Sequence, residues 1–233
     1  MTQEQSIRYS RQTAIPEIGK EGQERLLKSK VFIVGSGALG SMVAMQLAGA
    51  GIGVLGIADY DTIDISNLQR QFFFTTAEAG ESKVEVLKKR ILELNPTTII
   101  NEFNEMVTPS KGSRLFADYD IIVDGTDNPD SKRMIGEICK EIGKPCIIGG
   151  VSNFHGQVMT VLPGDSKFEE YFGNVGAEGF LPCSLGGVIG PAAALCASIQ
   201  AAEVIKYLSG ISEEKTSKLF TFDLLNNTFR NFT

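Results

Sequence analysis

The feature that most constrains the fold is a glycine-rich run at residues 31–40, in which an apolar strand leads into a turn and a helix. Residues 31–34 are β-branched or aromatic, which is typical of a strand buried on both faces, and residues 38–50 carry apolar side chains at helical spacing. Three glycines in the turn have the spacing of a dinucleotide-binding loop: Gly35, Gly37 and Gly40. In such a loop the first glycine permits the turn, the second lets the backbone approach phosphate, and the third lets helix and strand pack closely.

A second apolar run at residues 53–58 ends in Asp59, where a carboxylate would accept hydrogen bonds from a ribose. The strand before the glycines, the helix after them and this acid together predict a nucleotide site. The alternative is a tightly packed glycine turn that binds no ligand. These residues do not specify which nucleotide binds.

Strand and helix patterns alternate through about residue 151, which predicts a doubly wound, Rossmann-like and mostly parallel sheet. Residues 156–162 and a hairpin at 218–232 then predict antiparallel strands that extend the sheet. We expect one domain over residues 1–233, with a helical segment at 1–28, a nucleotide-binding half at 29–151 and a second half at 152–233. Residues 163–182 have little periodicity and are expected to form a crossover loop that is mobile without ligand.

Charge and hydropathy exclude several classes of function. The net charge of −6 argues against a nucleic-acid or anionic-membrane surface, because both need a basic face. No run approaches the roughly 18 apolar residues of a membrane span, and residues 1–20 have no signal-peptide core, so the cytoplasm is expected. The four cysteines form no Cys-x-x-Cys pair that would support structural zinc; three read as core residues, whereas Cys183 follows Pro182 in a glycine-rich stretch and is more accessible.

Polar and charged residues follow several predicted strands, and the carboxyl ends of parallel strands share one edge of the sheet: Asp59, Asp61, Asn67, Gln69, Arg70, Lys83, Asp124 and Asp127. This mixture favours a triphosphate with Mg²⁺ over a redox dinucleotide, because cations neutralise phosphate oxygens and a carboxylate holds the metal. Four of these residues, and the lone His155, also have a simpler interpretation. Arg70 would form a surface ion pair, Lys83 would be solvated on a helix face, the two later aspartates would cap the following helix, and His155 would be a turn residue.

Six further motifs, spread almost from end to end, carry a resemblance to a known family: RYSRQ at 8–12, DYDT at 59–62, SNLQRQ at 66–71, GESKV at 80–84, DGTDN at 124–128 and GVIGP at 187–191. Together with the glycine turn they resemble the HesA/MoeB/ThiF adenylyltransferases. These bacterial enzymes activate ubiquitin-like sulfur carriers and are similar to the adenylation domain of ubiquitin-activating enzymes. The SNLQRQ and DGTDN motifs are much more specific than the glycine turn.

The resemblance implies a role for each matching residue. Asp59 would bind the ATP ribose beside Asp61, Asn67 and Arg70 would hold phosphates, and Lys83 would reach the phosphates near the attacked phosphorus. Asp127 would bind Mg²⁺. Arg11 would enter the neighbouring subunit's site, so the resemblance implies a homodimer. Cys183 falls where some family members have a cysteine that reacts with the activated carrier, although adenylation alone does not need it.

The chain departs from the family in the positions that usually bind zinc. Most relatives have two Cys-x-x-Cys pairs, whereas the first region here reads Phe168-Glu-Glu-Tyr and residue 233 comes before the second pair. We therefore expect no zinc, with Phe168, Tyr171 and Phe172 packing that loop instead. We also expect no rhodanese-like domain in this chain, and therefore no persulfide sulfur supplied by a domain of its own.

The expected activity is ATP-dependent adenylation of the C-terminal Gly-Gly carboxylate of a sulfur carrier of the ThiS or MoaD type, with the second half of the domain, residues 152–233, expected to bind the carrier. As the pathway served, we place thiamine synthesis slightly ahead of molybdopterin synthesis, although no particular residue supports this order. One alternative is a family member with a different acceptor, such as a tRNA-modifying dehydratase or a peptide-modifying enzyme. Another is an NAD(P)-dependent oxidoreductase, which would leave Arg11, Arg70, Lys83 and Asp127 unexplained.

Overall fold

The computed structural model describes residues 1–165, 187–211 and 218–232. Within them, eight strands form one sheet in the order β3-β2-β1-β4-β5-β6-β7-β8. Strands β1 to β5 run parallel, and β6, β7 and β8 are antiparallel additions at one edge. The predicted fold class, a mostly parallel sheet extended by antiparallel C-terminal strands, is confirmed.

The elements predicted at residues 31–34, 38–50, 53–58, 156–162 and 218–232 are present with boundaries within two residues of those predicted. The strands are β1 Lys30–Val34, β2 Val54–Ala58, β3 Ile99–Phe103, β4 Ile121–Asp124, β5 Cys146–Ser152, β6 His155–Val161, β7 Lys218–Asp223 and β8 Thr228–Phe232. The helices are α1 Gln3–Arg8, α2 Ser10–Thr13, α3 Gly19–Lys28, α4 Gly40–Ala50, α5 Lys83–Leu94, α6 Pro109–Phe116, α7 Pro129–Ile142 and α8 Gly190–Ser209.

Residues 31–34 of the central strand β1 are all apolar because both faces of the strand are covered. Val31 and Ile33 belong to a core cluster that includes residues of α3, α4, α5 and α8. Phe32 and Val34 belong to a second cluster on the opposite face, with residues of α6 and α7. Alternate side chains of a strand point to opposite faces, so an unbroken apolar run is the pattern expected of a strand between two helical layers.

The short N-terminal helices are fixed to the carboxyl end of α4 by buried polar contacts. The Asn95 side chain donates to Tyr9 Oη at 2.9 Å and to the Ala48 carbonyl oxygen at 2.8 Å. Gln12 Nε2 donates to the carbonyl oxygen of Ala50 at 3.0 Å. Residues 9–12 are therefore held firmly against the sheet domain.

Several predictions fall outside the described residues: the position of Cys183, most of the 163–182 loop with its expected mobility, and the packing of Phe168, Tyr171 and Phe172. Cys139, Cys146 and Cys196 are buried, as predicted. Across the described parts of the chain, no helix combines the length and apolar character needed to cross a membrane.

Candidate functional site

A cavity of about 950 Å³ opens at the carboxyl ends of the central strands. From β1 the chain first builds the sheet towards β2 and β3 and then crosses over to β4, so the strand order reverses beside β1. Such a reversal leaves a crevice where open α/β sheets bind ligands. The cavity is lined by most of the residues predicted from sequence: Gly35, Gly37, Asp59, Asp61, Asn67, Arg70, Lys83 and Asp127.

The glycine turn has a geometry that other residues would not tolerate at two positions. Gly35 has φ of +88°, in the left-handed region that favours glycine. A Cβ on Gly40 would lie 1.8 Å from the Gly35 carbonyl oxygen, so the first turn of α4 packs directly on the end of β1. Gly125, which sequence reasoning passed over, also approaches closely, because its Cβ would lie 2.8 Å from the Gly40 Cα.

Asp59 is fixed to the glycine turn at the end of β2. Its Oδ2 accepts hydrogen bonds from the backbone N–H of Ser36 at 2.6 Å and from the Ser36 hydroxyl at 2.9 Å. Its Oδ1 accepts from the backbone N–H of Asp61 at 2.9 Å. A carboxylate accepts about four hydrogen bonds. Asp59 therefore keeps acceptor capacity for a hydroxyl group in the cavity that it lines.

Lys83 is buried at the first turn of α5, so its interpretation as a solvated helix residue is wrong. Its side chain is 5% exposed, and Nζ lies 2.9 Å from Oδ2 of Asp61, whose side chain is 49% exposed. The helix begins there because the Ser82 side chain accepts from the backbone N–H of Glu85. The Lys83 ammonium therefore faces the cavity, and solvent or a more strongly charged ligand can replace its partner Asp61.

The segment after β2 holds Asn67 and Arg70 through a short 3₁₀ helix, Ile65–Asn67. Asp64 caps this helix, and hydrogen bonds from the hydroxyl and backbone of Ser66 hold the pKa of Asp64 below its usual value. Arg70 Nη1 donates to the Ser66 carbonyl oxygen at 3.2 Å. Within the described residues Arg70 makes no ion pair, so its interpretation as a surface ion pair is not supported.

The loop after β4 brings Asp127 to the cavity from the other side of β1. Neither Asp124 nor Asp127 caps α7, contrary to the simpler interpretation of the sequence. The cap is Asn128, whose Oδ1 accepts from the backbone N–H of Ser131 at 2.8 Å. Asp124 is instead fully buried in an ion pair with Lys132.

The carboxylates from the two loops converge on Tyr60. Its pKa is raised above the usual value, first by the negative charge of Asp61, then by burial, and further by Asp59 and Asp127. The loops after β2 and β4 thus concentrate negative charge at one side of the cavity. Such a place attracts a cation.

This charge cluster predicts the titration of Tyr60. We expect Asp61→Asn to lower the pKa of Tyr60 towards its ordinary value, because the neighbouring negative charge that opposes phenolate formation is removed. Ultraviolet titration of the phenolate, compared with a Tyr60→Phe variant to isolate this residue, measures the shift. Asp64→Asn is the control, since Asp64 does not contribute to the raised pKa. An unchanged Tyr60 titration in Asp61→Asn would contradict the arrangement.

The far end of the cavity is formed by the antiparallel strands of residues 152–233, the half expected to bind the carrier, although none of its described residues was predicted as a site residue. Cross-strand pairing places Gln157 beside Thr221 and Thr221 beside Arg230, all facing the cavity. His155 is the first residue of β6 and not a turn residue; its Nδ1 lies 3.5 Å from Asp223 Oδ1. The sequence signal that could have indicated this polar wall is the alternation of polar side chains along residues 155–157 and 221–230.

Arg11 does not line the cavity of its own chain. It lies on α2 between the anchored residues Tyr9 and Gln12, and its side chain is exposed. The exposed Arg11 on this anchored helix therefore lies outside the cavity of its own chain, and its expected role in a neighbouring subunit's site stays a prediction.

Comparison with known proteins gives consistent matches. Residues 9–233 match the ThiF family. The probable molybdopterin-synthase adenylyltransferase of Porphyra purpurea is 38% identical over 98% of this chain and 61% of that protein. The sulfur carrier protein adenylyltransferase of Thermus thermophilus is 34% identical over 100% of this chain and 88% of that protein. MccB of E. coli, solved with succinimide, has the same fold, with a TM-score of 0.82 and 24% identity over 97% of this chain and 71% of that chain.

Proposed function

Because this chain belongs to the ThiF family, we propose that it is an ATP-dependent adenylyltransferase acting on the C-terminal Gly-Gly carboxylate of a ubiquitin-like sulfur carrier. The observation that carries the proposal is the buried Lys83, which faces a cavity beside a glycine turn and is held by one half-exposed carboxylate. The matched relatives are named adenylyltransferases, which favours this reaction over oxidoreduction. The chain spans 61% of the first relatives' length, so carrier and pathway are part of the proposal.

In the proposed reaction a carrier carboxylate oxygen attacks the α-phosphorus of ATP and forms a new P–O bond. The bond between that phosphorus and the oxygen shared with the β-phosphate breaks, and pyrophosphate leaves with its electron pair. The products are an acyl adenylate and pyrophosphate. The enzyme's contribution is alignment of the reactants and neutralisation of the charge that develops on the phosphates.

We assign the residues around the cavity to that task. The glycine turn and the N-terminus of α4 would receive phosphate, and Asp59 would accept hydrogen bonds from the ribose. Arg70 and Asn67 would hold the departing phosphates. Lys83 would exchange its contact with Asp61 for a phosphate of ATP, whose triphosphate carries more negative charge than one carboxylate.

The donor set around Asp127 fits Mg²⁺. Among the described residues, no group of three or more His, Cys, Asp or Glu side chains could hold a metal ion on its own. Mg²⁺ does not need such a group, because it is commonly held by one or two carboxylates together with substrate phosphates and water. When bound, Mg²⁺ would offset negative charge on the phosphates. Asp127 is the proposed ligand, with Asp59 and Asp61 contributing to the negative potential there.

We place the carrier on the second half of the domain, residues 152–233. The cavity continues from the proposed phosphate site to β6, β7 and β8, where its walls are polar. An extended C-terminal tail lying there would bring its carboxylate towards Arg70 and Lys83. Because the Porphyra relative is named for molybdopterin synthase, we now place molybdopterin synthesis ahead of thiamine synthesis.

The proposed product offers a direct test. Purified protein is incubated with Mg²⁺, ATP and each candidate sulfur carrier of the same organism, and the intact carrier is weighed by mass spectrometry. We expect one carrier to gain the mass of an adenylate group, and a carrier lacking its terminal glycine to gain none. ATP binding without adenylation of any carrier would contradict the proposed acceptor.

We further propose that Arg11 completes the site of a partner subunit in a homodimer. The supporting observation is its exposure on an anchored helix away from its own cavity. Arg11→Ala and Lys83→Met should each be inactive alone. In a mixed dimer, one site would combine an intact Lys83 cavity with an intact Arg11 from the partner.

Mixing the two inactive variants under conditions of subunit exchange is therefore expected to restore about a quarter of wild-type activity, since random pairing in a two-fold dimer repairs that share of the sites. The measurement is pyrophosphate release with the carrier. No recovery, although mixed dimers are demonstrated, would contradict action across the interface.

A further inference from the structure

Beneath the loop that carries Asp127 lies a buried lysine with three acceptors. Lys132 Nζ lies 2.8 Å from Asp124 Oδ2, 2.6 Å from the Thr126 carbonyl oxygen and 2.5 Å from the Gly149 carbonyl oxygen. The two charged side chains are 7% and 0% exposed. A lysine ammonium has three N–H donors, so this one is fully used within the protein.

The other oxygen of the same carboxylate fixes the loop from within. Asp124 Oδ1 accepts from the backbone N–H of Thr126 at 3.0 Å and from the Thr126 hydroxyl at 2.6 Å. From α8, Gln200 Nε2 donates to the Asp124 carbonyl oxygen at 2.7 Å. The main chain immediately before Asp127 is therefore held by side chains of α7 and α8.

Stability alone does not account for this arrangement. Removing two charges from water costs about as much as their attraction returns, and buried ion pairs are often replaceable by apolar residues without loss. The pair instead fixes the position of the loop, because Lys132 donates both to the Thr126 carbonyl oxygen and to the Gly149 carbonyl oxygen of β5. Asp127 directly follows Thr126, and among the described residues no other contact of this kind holds it.

We propose that Lys132 is a positioning residue that holds the 124–127 loop so that Asp127 meets the metal bound to ATP. The inference rests on the proposed function, in which Asp127 is the Mg²⁺ ligand. Lys132 acts through the main chain of the loop and contacts neither the carrier carboxylate oxygen nor the α-phosphorus of ATP. Its loss should therefore weaken the part of ATP affinity that depends on Mg²⁺ and leave the metal-independent part in place.

The test uses the double variant Lys132→Met with Asp124→Asn. Lys132→Met alone leaves a buried carboxylate without its partner and is expected to fold poorly. In the double variant the buried charges are removed together, and an asparagine oxygen can still accept from Thr126. Lys144→Met is the matched control, because Lys144 Nζ also donates to a backbone carbonyl, that of Tyr119 at 2.7 Å, but away from the cavity.

ATP affinity is measured by calorimetry with Mg²⁺ and again with a chelator, and folding is checked by thermal melting. The double variant is expected to lose roughly 10- to 100-fold in Mg²⁺-dependent affinity, the usual effect of removing a residue that orients a metal ligand. In chelator, the ATP affinity of the double variant should match that of the wild type. Lys144→Met should match the wild type both with Mg²⁺ and with chelator. A folded double variant with wild-type Mg²⁺-dependent affinity would overturn the inference. Wild-type protein that fails to bind ATP would instead overturn the proposed function.

Discussion

Gly40→Ala is expected to abolish ATP binding and to destabilise the protein by about 3 kcal/mol, at the upper end of the cost of overpacking. The added Cβ would lie 1.8 Å from the carbonyl oxygen of Gly35 and 2.8 Å from its carbonyl carbon. Backbone atoms cannot rotate away as a flexible side chain can. The first turn of α4 must therefore move away from β1, and its N–H groups lose their alignment towards the cavity.

Gly49→Ala is the matched control on the same helix. Its Cβ would meet only Leu94 Cδ2, at 3.8 Å, which is an ordinary contact. Alanine is favoured over glycine by roughly 0.5–1 kcal/mol in the middle of a helix, and Gly49 lies in the last turn of α4, so this variant should be at least as stable as the wild type and bind ATP normally. Denaturant unfolding and calorimetric ATP titration measure both variants. Normal ATP affinity in Gly40→Ala would contradict the close approach of α4 to the glycine turn.

Lys83→Met is expected to lower the rate of adenylation by about 10²- to 10³-fold, the effect of removing one preorganised group that stabilises developing charge. Methionine has nearly the same length and apolar stem, so packing at the start of α5 is retained. Asp61 loses its ion pair, but its side chain is half exposed and water replaces the lysine. Stability should therefore change little while activity falls.

Lys89→Met on the same helix is the control for this effect. Its side chain is 64% exposed, and its Nζ lies 3.8 Å from Glu81, a loose surface pair that contributes little. Single-turnover formation of the adenylated carrier, with thermal melting to verify folding, separates the two lysines. Equal rates for the two variants would show that burial of Lys83 beside the cavity has no catalytic consequence.

The local elements were largely predictable because their causes are local. An unbroken apolar run predicts β1, helical spacing predicts α4, and the sheet edge to which Asp59 belongs follows from the strand order. The burial of Lys83 was not predictable in this way, since its partner Asp61 lies 22 residues earlier in a segment without regular structure. On a charged helix, exposure is the default expectation.

The remaining features depend on contacts between distant segments. Gly125 matters because the β4 loop meets the glycine turn, and Lys132 matters because acceptors from β4, from the loop after it and from β5 surround its ammonium. Asn128 took the capping role expected of Asp124 or Asp127, since its position relative to Pro129 suits a cap and the buried Lys132 engages Asp124 instead. A single sequence indicates Lys132 and Asn128 only as polar positions in or near a motif, and Gly125 only as a glycine within it.

ATP–pyrophosphate exchange tests the central claim most directly. The protein is incubated with Mg²⁺, ATP, labelled pyrophosphate and each candidate sulfur carrier of the same organism, and Arg70→Ala is run beside the wild type. We predict exchange that requires one carrier with its terminal glycine and that is lost in Arg70→Ala. No exchange with any carrier, in protein that binds ATP, would contradict sulfur-carrier adenylation and point to a different acceptor.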